Sequence, residues 1–285
     1  MRARLITLFI AMISLEASGQ LLNEPEIKSF NPWQKFNSQF IADNEIEEIR
    51  ILEEFKPDGE KIKRTGNVFI YRFDEKGRVK NIGTVIGKTD TLITTYSYVK
   101  SRLECEVKND AAGRFSYCYT YQEDGRPSQL KYARLKGRSP SEAGTKISTE
   151  TYEHKVFDQQ VHSVLFNSGG RPYRKEIRYY DENGYLTKYL KTFVMTSRRE
   201  EEQYSYGEKG YITEKKVMGD DGKYTMNYLY DEFGNLIEEK KLKDEKLISR
   251  REYVYRPEDL LLRAELERDE LKQAIRILSY SYSFR

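Results

Sequence analysis

Apolar and polar residues alternate along most of this chain with a period of two. In Tyr224-Thr-Met-Asn-Tyr-Leu-Tyr230, the side chains of Tyr224, Met226, Tyr228 and Tyr230 fall on one face. The same alternation sets Tyr117, Tyr119 and Tyr121 together, and again Leu278, Tyr280, Tyr282 and Phe284. A period of two puts one face of a strand inward and leaves the other wet. Pro57-Asp58-Gly59, Asp124-Gly125, Asn183-Gly184 and Asp221-Gly222 supply turn residues that tolerate positive φ between such runs. The pattern predicts an antiparallel meander of many short strands. Strand twist accumulates over such a length, so the sheet should curl or fold back over its own aromatic face.

The strands come in copies. Tyr71-x-Phe73…Gly77-x-Val79, Tyr204-x-Tyr206…Gly210-x-Ile212 and Tyr228-x-Tyr230…Gly234-x-Leu236 share one motif, with a looser copy at Tyr180…Gly184-x-Leu186. Tyr180, Tyr206, Tyr230, Tyr255 and Tyr282 follow at intervals of 26, 24, 25 and 27 residues, and Phe73, Tyr98 and Tyr121 keep the same beat. A unit of about 25 residues fits two strands and two turns. The expected fold class is therefore all-β: an antiparallel meander of tandem two-stranded repeats forming a curled, elongated sheet. Between Tyr121 and Tyr180 the beat is lost, and Phe166…Gly170 reads as one compressed extra copy. Pro257–Ile277 has strong helix propensity. Leu242-Lys-Asp-Glu-Lys-Leu247 and Leu266-Glu-Arg-Asp-Glu-Leu271 nonetheless match at one phase of the repeat, which favours strands there. Lys136–Lys146, with Gly137, Pro140 and Gly144, reads as an inserted loop.

The first residues change the picture of location. Met-Arg-Ala-Arg is followed by an apolar stretch from Leu5 to Leu15 and by small residues at Ala17-Ser18-Gly19. A charged start, a short apolar core and small residues before a cut describe a secretory signal peptide. The stretch is too short to span a bilayer comfortably. The expected organisation is a signal peptide over 1–19, an N-terminal capping segment over 20–45 that includes Trp33 and Phe36, and a β-repeat domain over 46–285. No Cys lies near the cut, so no lipid anchor is expected. A composition that is 33% charged argues against a lipid-facing barrel and against transmembrane insertion. Residues 20–285 hold 47 basic and 45 acidic side chains, interspersed, so no nucleic-acid surface is expected. The protein reads as exported, periplasmic or extracellular.

The two cysteines, Cys105 and Cys118, flank the turn-like Lys108-Asn-Asp-Ala-Ala-Gly-Arg114. If the flanks pair as a hairpin the cysteines lie opposite each other, and an exported location permits the disulfide. A reactive thiol is the alternative.

The pairs Tyr180-Asp181 and Tyr230-Asp231, each opening an Asp-Glu-x-Gly-x-Leu stretch, resemble the YD repeats of the Rhs family and related cell-surface proteins, with Phe73-Asp74 a close third. The resemblance implies a curling antiparallel sheet, usually extracellular, that serves as shell, scaffold or binding surface. A weaker similarity is to small exported repeat proteins with MORN-like spacing.

Catalytic signals are sparse. His154 and His162 do not have metal-binding spacing, no nucleophile elbow is present, and Gly83-Thr-Val-Ile-Gly87-Lys88-Thr89 imitates a phosphate loop one residue short. No metal and no cofactor is expected. The pairs Asp74-Glu75, Glu123-Asp124, Asp181-Glu182 and Asp231-Glu232 sit at turns, where Asp caps the backbone two residues on. The 23 tyrosines remain. They form either a semi-wet core or an open stacking face for a glycan or an envelope protein, centred on Tyr204, Tyr206, Tyr228, Tyr230, Tyr253 and Tyr255. The expected function is a non-catalytic scaffold or binding module at the cell envelope. A polysaccharide-acting hydrolase and a purely structural spacer are the alternatives.

Overall fold

The computed structural model describes residues 20–23, 35–87, 90–136, 144–220 and 222–285. The predicted signal peptide, Trp33 and the heart of the Lys136–Lys146 loop lie outside the described residues. The first strands are β1 (Ile46–Pro57), β2 (Lys63–Phe73), β3 (Val79–Ile86), β4 (Asp90–Val99), β5 (Arg102–Asp110) and β6 (Gly113–Tyr121). There follow β7 (Pro127–Leu135), β8 (Thr145–Phe157), β9 (Gln160–Phe166), β10 (Pro172–Tyr180), β11 (Leu186–Phe193) and β12 (Arg199–Tyr206). The last six are β13 (Ile212–Gly219), β14 (Gly222–Tyr230), β15 (Leu236–Lys243), β16 (Lys246–Tyr255), β17 (Leu262–Asp269) and β18 (Ala274–Phe284). Each strand pairs antiparallel with the next, and β18 pairs with β1 from Ile46↔Phe284 to Pro57↔Ala274. The sheet is thus a closed 18-stranded barrel. This corrects the expectation of a curled, elongated sheet with two ends. Closure leaves no strand edge unpaired, which an open meander of this length would have had to protect. The stretch of strong helix propensity after Pro257 is strand, as the repeat phase indicated.

The motif describes one end of this barrel. There the connections β2–β3, β6–β7, β10–β11, β12–β13 and β14–β15 share one turn. In β2–β3 the Asp74 N–H donates to Arg78 O and the Gly77 N–H to Asp74 O, and the equivalents recur at Gln122/Arg126, Asp181/Tyr185, Gly207/Tyr211 and Asp231/Asn235. Just inside each turn the register slips. Ser205 faces Glu214 but Tyr206 faces Ile212, which leaves Thr213 bulged. The bulge brings the aromatic and the aliphatic of the motif to the same inner face. The turn Asn167–Arg171 has the same hydrogen bonds but lies at the opposite end, between β9 and β10. The compressed copy is therefore out of phase, which is why the beat fails there.

Ladder pairing runs the length of each hairpin at the motif end but stops short between hairpins. β13 and β14 pair only from Glu214↔Asn227 onward, β15 and β16 from Glu238↔Glu252, and β17 and β18 from Ala264↔Ser279. The second tyrosine of the motif spans this gap. Tyr98 Oη donates to Val79 O (2.8 Å), Tyr121 to Leu103 O (2.5 Å), Tyr206 to Leu186 O (2.7 Å), Tyr255 to Leu236 O (3.0 Å) and Tyr282 to Leu262 O (2.6 Å). The side chain after the turn adds a second tie to the next hairpin. Arg78 sits 4.5 Å over Tyr98, Arg102 5.7 Å over Tyr121, and the rings of Tyr185–Tyr206 and Tyr211–Tyr230 lie 4.8 and 4.9 Å apart. Each hydrogen bond is worth about 1 kcal/mol and each ring contact about 0.5–1 kcal/mol, so side chains replace the missing ladder.

A ring of this many strands encloses more space than its own wall fills. The N-terminal segment occupies part of it. Leu22 bridges Phe36, and a short helix α1 (Ser38–Asp43) follows, capped by Asn37 Oδ1, which accepts from the N–H groups of Gln39 and Phe40. Leu21, Leu22, Phe36, Phe40 and Ile41 are buried in one core with the inward Ile49, Phe73, Ile212 and Leu262. Phe36 meets Tyr71 and Phe73 edge-on at 5.0 and 5.8 Å. This segment is a plug inside the motif end.

Candidate functional site

All six candidate tyrosines face the lumen. Tyr204, Tyr228 and Tyr253 retain 7%, 6% and 9% exposure, while Tyr206, Tyr230 and Tyr255 are half-buried at the hairpin gaps. Burial holds the Tyr253 and Tyr255 hydroxyls well above the usual phenol range, with nearby Glu239 reinforcing it at Tyr253. Three of these rings are thus packed into the wall, and Tyr206 and Tyr255 tie neighbouring hairpins through their hydroxyls. The same alternation continues towards the opposite end, where the inward rings are more open. Tyr117 and Tyr132 stack at 4.6 Å, with Phe115 5.8 Å from Tyr132, and Lys108 lies 5.2 Å over Tyr117. Tyr224 carries Lys241 at 4.7 Å and Lys243 at 5.4 Å. Tyr117 and Tyr224 were legible as inward from their spacing; what hid their openness is that burial depends on the plug, a long-range contact.

The carboxylates fall into two groups. Those paired in sequence cap turns. Asp74 Oδ1 accepts from the N–H groups of Lys76 and Arg78, Asp181 Oδ1 from Asn183 and Tyr185, Asp231 Oδ1 from Asn235, and Asp124 Oδ1 from Arg126. Burial alone would raise the Asp74 carboxyl, but the hydrogen bonds and charge of Arg78 more than offset it and lower it. The second group lies on strands inside the lumen, away from the turns. Glu106 bonds Lys108 at 3.1 Å, Glu176 lies between Arg174 (2.8 Å) and Arg178 (3.0 Å), and Glu202 meets Lys215 at 3.2 Å. Across β15, β16 and β17 Glu239 and Glu267 share Arg251, at 3.8 and 3.1 Å. Glu265, 3% exposed, accepts from Lys35 of the plug at 2.5 Å and from the Tyr280 hydroxyl. Burial pushes the Glu239 carboxyl up, opposed by Arg251 and aided by the like charges of Glu267 and Glu265. Almost every lumenal acid therefore has a fixed cation. Such pairing offsets the cost of burying each charge and leaves no unpartnered acid among these residues.

Cys105 and Cys118 are disulfide-bonded on the outer face, directly opposite in the β5–β6 register with Cα atoms 4.1 Å apart. His154 contacts Ser163 Oγ and Pro127 O at 2.8 Å each, and His162 contacts Gln160, so both imidazoles are engaged locally. Among the described residues no cluster of His, Cys, Asp and Glu could hold a metal ion. The phosphate-loop imitation runs off the end of β3 and precedes a strand, not a helix. No helix among the described residues is long and apolar enough to cross a membrane. The outer wall carries ion pairs such as Lys188–Glu201 (2.7 Å), Lys216–Glu214 (2.8 Å), Lys240–Glu238 (2.7 Å) and Arg250–Glu252 (2.8 Å).

No family model and no curated protein matches the chain. Among solved structures it is similar to a porin-like protein from Bacteroides uniformis, at 12% identity and a TM-score of 0.42 over 84% of this chain and 98% of that one. It is also similar to the LolA superfamily protein NE2245 from Nitrosomonas europaea, at 9% identity and a TM-score of 0.23 over 87% and 90% of the two chains. A third similarity is to the Photorhabdus luminescens Tc holotoxin pore, at 13% identity and a TM-score of 0.20, over 78% of this chain and 16% of that one.

Proposed function

We propose that the chain is an exported, non-catalytic binding or scaffold protein of the cell envelope, related in its repeat to YD-repeat proteins. The observation that carries this reading is the division of labour among the inward aromatics. Those of the motif are used up in tying hairpins and seating the plug, whereas Phe115, Tyr117, Tyr132 and Tyr224, towards the opposite end, stay half-open among the described residues and beside cations. Rings with an open face or edge next to Lys and Arg suit stacking against a sugar ring or an aromatic side chain of an envelope partner. The charged outer wall supports a barrel that stands outside the bilayer core, since a lipid-facing wall needs an apolar band.

Mild nitration with peptide mass spectrometry tests the division directly. Tyr117, Tyr132 and Tyr224 should label while Tyr204, Tyr228 and Tyr253 stay protected. A glycan screen on the full chain should then yield ligands whose binding falls at least tenfold in Tyr117→Ala. Uniform protection of all inward tyrosines would leave only the structural spacer. The hydrolase remains a second reading because Glu239, Glu265 and Glu267 share one stretch of lumen and burial raises Glu239. It requires polysaccharide cleavage that Glu239→Gln abolishes without lowering stability.

A further inference from the structure

The two ends of the barrel differ in charge. At the end opposite the motif turns, the described connections, taken with two residues of each flanking strand, hold sixteen Lys and Arg against ten Asp and Glu. The same count at the motif end, including the chain's own seam, gives eleven against fourteen, so charge runs from about +6 at one rim to about −3 at the other. Five of the basic side chains, Lys61, Lys146, Arg171, Lys223 and Lys246, are exposed and make no ion pair with a described residue. The same rim carries large apolar side chains at its tips. Met195 is 84% exposed, Leu271 80%, Ile86 54%, Ile62 53% and Ile147 49%. These tips come from separate places around the rim: the β11–β12, β17–β18 and β1–β2 connections, the end of β3 and the start of β8. No single hairpin accounts for them. The motif rim also shows apolar side chains, Phe233 among them, but sets them among acidic turns such as Asp231-Glu232 and Glu258-Asp259.

We propose that the basic rim docks end-on on an anionic phospholipid surface. Lysine and arginine bind anionic headgroups while their aliphatic stems, and the apolar tips between them, enter the headgroup–acyl boundary. The charge complementarity selects a negatively charged surface, and the scattered tips select a lipid one, because isolated apolar tips spread round a rim fit a fluid interface better than a shaped protein pocket. The ion-paired outer wall keeps the rest of the barrel in water, so the contact is peripheral. The acidic rim, carrying the plugged mouth, then points away from the membrane.

The full chain should co-sediment with vesicles containing phosphatidylglycerol and not with pure phosphatidylcholine vesicles, and binding should fall steeply at 0.5 M salt (about 4 Å screening length). The triple variant K61E/K223E/K246E should bind at least tenfold more weakly, and M195S/L271S several-fold more weakly at unchanged charge. F233S at the other rim should bind like the parent, as a control. All these positions are exposed, and unchanged melting temperatures would confirm that folding is intact. Equal binding to both vesicle types, or wild-type binding by the charge triple, would overturn the proposal. So would binding to a soluble polyanion that matches vesicle binding and ignores M195S/L271S, since the rim would then recognise an anionic polymer.

Discussion

A single hydroxyl explains why tyrosine and not phenylalanine recurs just before the turns. Tyr255 and Tyr282 reach back to Leu236 O and Leu262 O across gaps where the ladder has stopped. Tyr255→Phe and Tyr282→Phe should each cost about 1 kcal/mol in denaturant unfolding, the usual worth of one such bond. Burial also pushes Tyr98 and Tyr119 up to about 12. A phenol whose folded pKa is raised contributes fully to stability below the unfolded value near 10 and loses that contribution as pH rises towards 12. Stability should therefore hold flat to about pH 10 and then fall. Absorbance at 295 nm should rise together with unfolding; tyrosines that ionise well before unfolding would show that the lumenal band is wet. The inward set itself was legible in the sequence, because alternation at Tyr224–Tyr230 fixes which side chains share a face. The state of each ring was not. Whether Tyr204 is core and Tyr117 half-open depends on Leu21, Phe36 and Ile41, which come from far away in the chain and carry no periodic signal.

At the scale of elements, the hairpin is the unit and the plug is the exception. The Asp-x-x-Gly turns and the cysteine register were readable, since each is decided by neighbours within a few residues, whereas the bulge behind the turns shows only in the register. The sequence also marked residues 20–45 as a capping segment but gave no sign that Leu21, Phe36 and Ile41 would enter the lumen. Gly77 marks the seat of that plug. It has φ +68°, and a Cβ there would lie 1.8 Å from Ser38 O of α1. Gly77→Ala combines left-handed strain of about 1 kcal/mol with a clash that only movement of α1 can relieve. We expect a loss of at least 2 kcal/mol and faster hydrogen exchange over residues 36–44. A loss confined to the β2–β3 turn with α1 still protected would show that the helix is not held there. The Cys105–Cys118 disulfide ties a single hairpin, so its loop is short. Replacing both cysteines by alanine should cost up to about 3 kcal/mol by the chain-entropy model, less to the extent that β5 and β6 already pair without it.

Closure belongs to the whole molecule, and it is the feature that the repeat concealed. A linear array and a ring have the same period, the same turns and the same inward face; they differ only in whether the first and last strands meet. That meeting rests on pairings such as Ile49↔Tyr282 and Ile51↔Tyr280, over 220 residues apart, between two strands whose alternation is like that of every other strand. The two architectures nonetheless predict different failures. In a linear array, loss of the last unit removes one interface and leaves the rest folded, because stability is a sum over neighbours. In the ring, deleting residues 274–285 strips β1 and β17 of their partner together and exposes two long edges, along with the core around Leu21 and Ile49. The truncated chain should lose its cooperative thermal transition and self-associate through those edges, as analytical ultracentrifugation would show. A monomer melting only a few degrees below the full chain would mean that the hairpins stand without closure. The plug would then be held by β2, β3 and the motif turns alone.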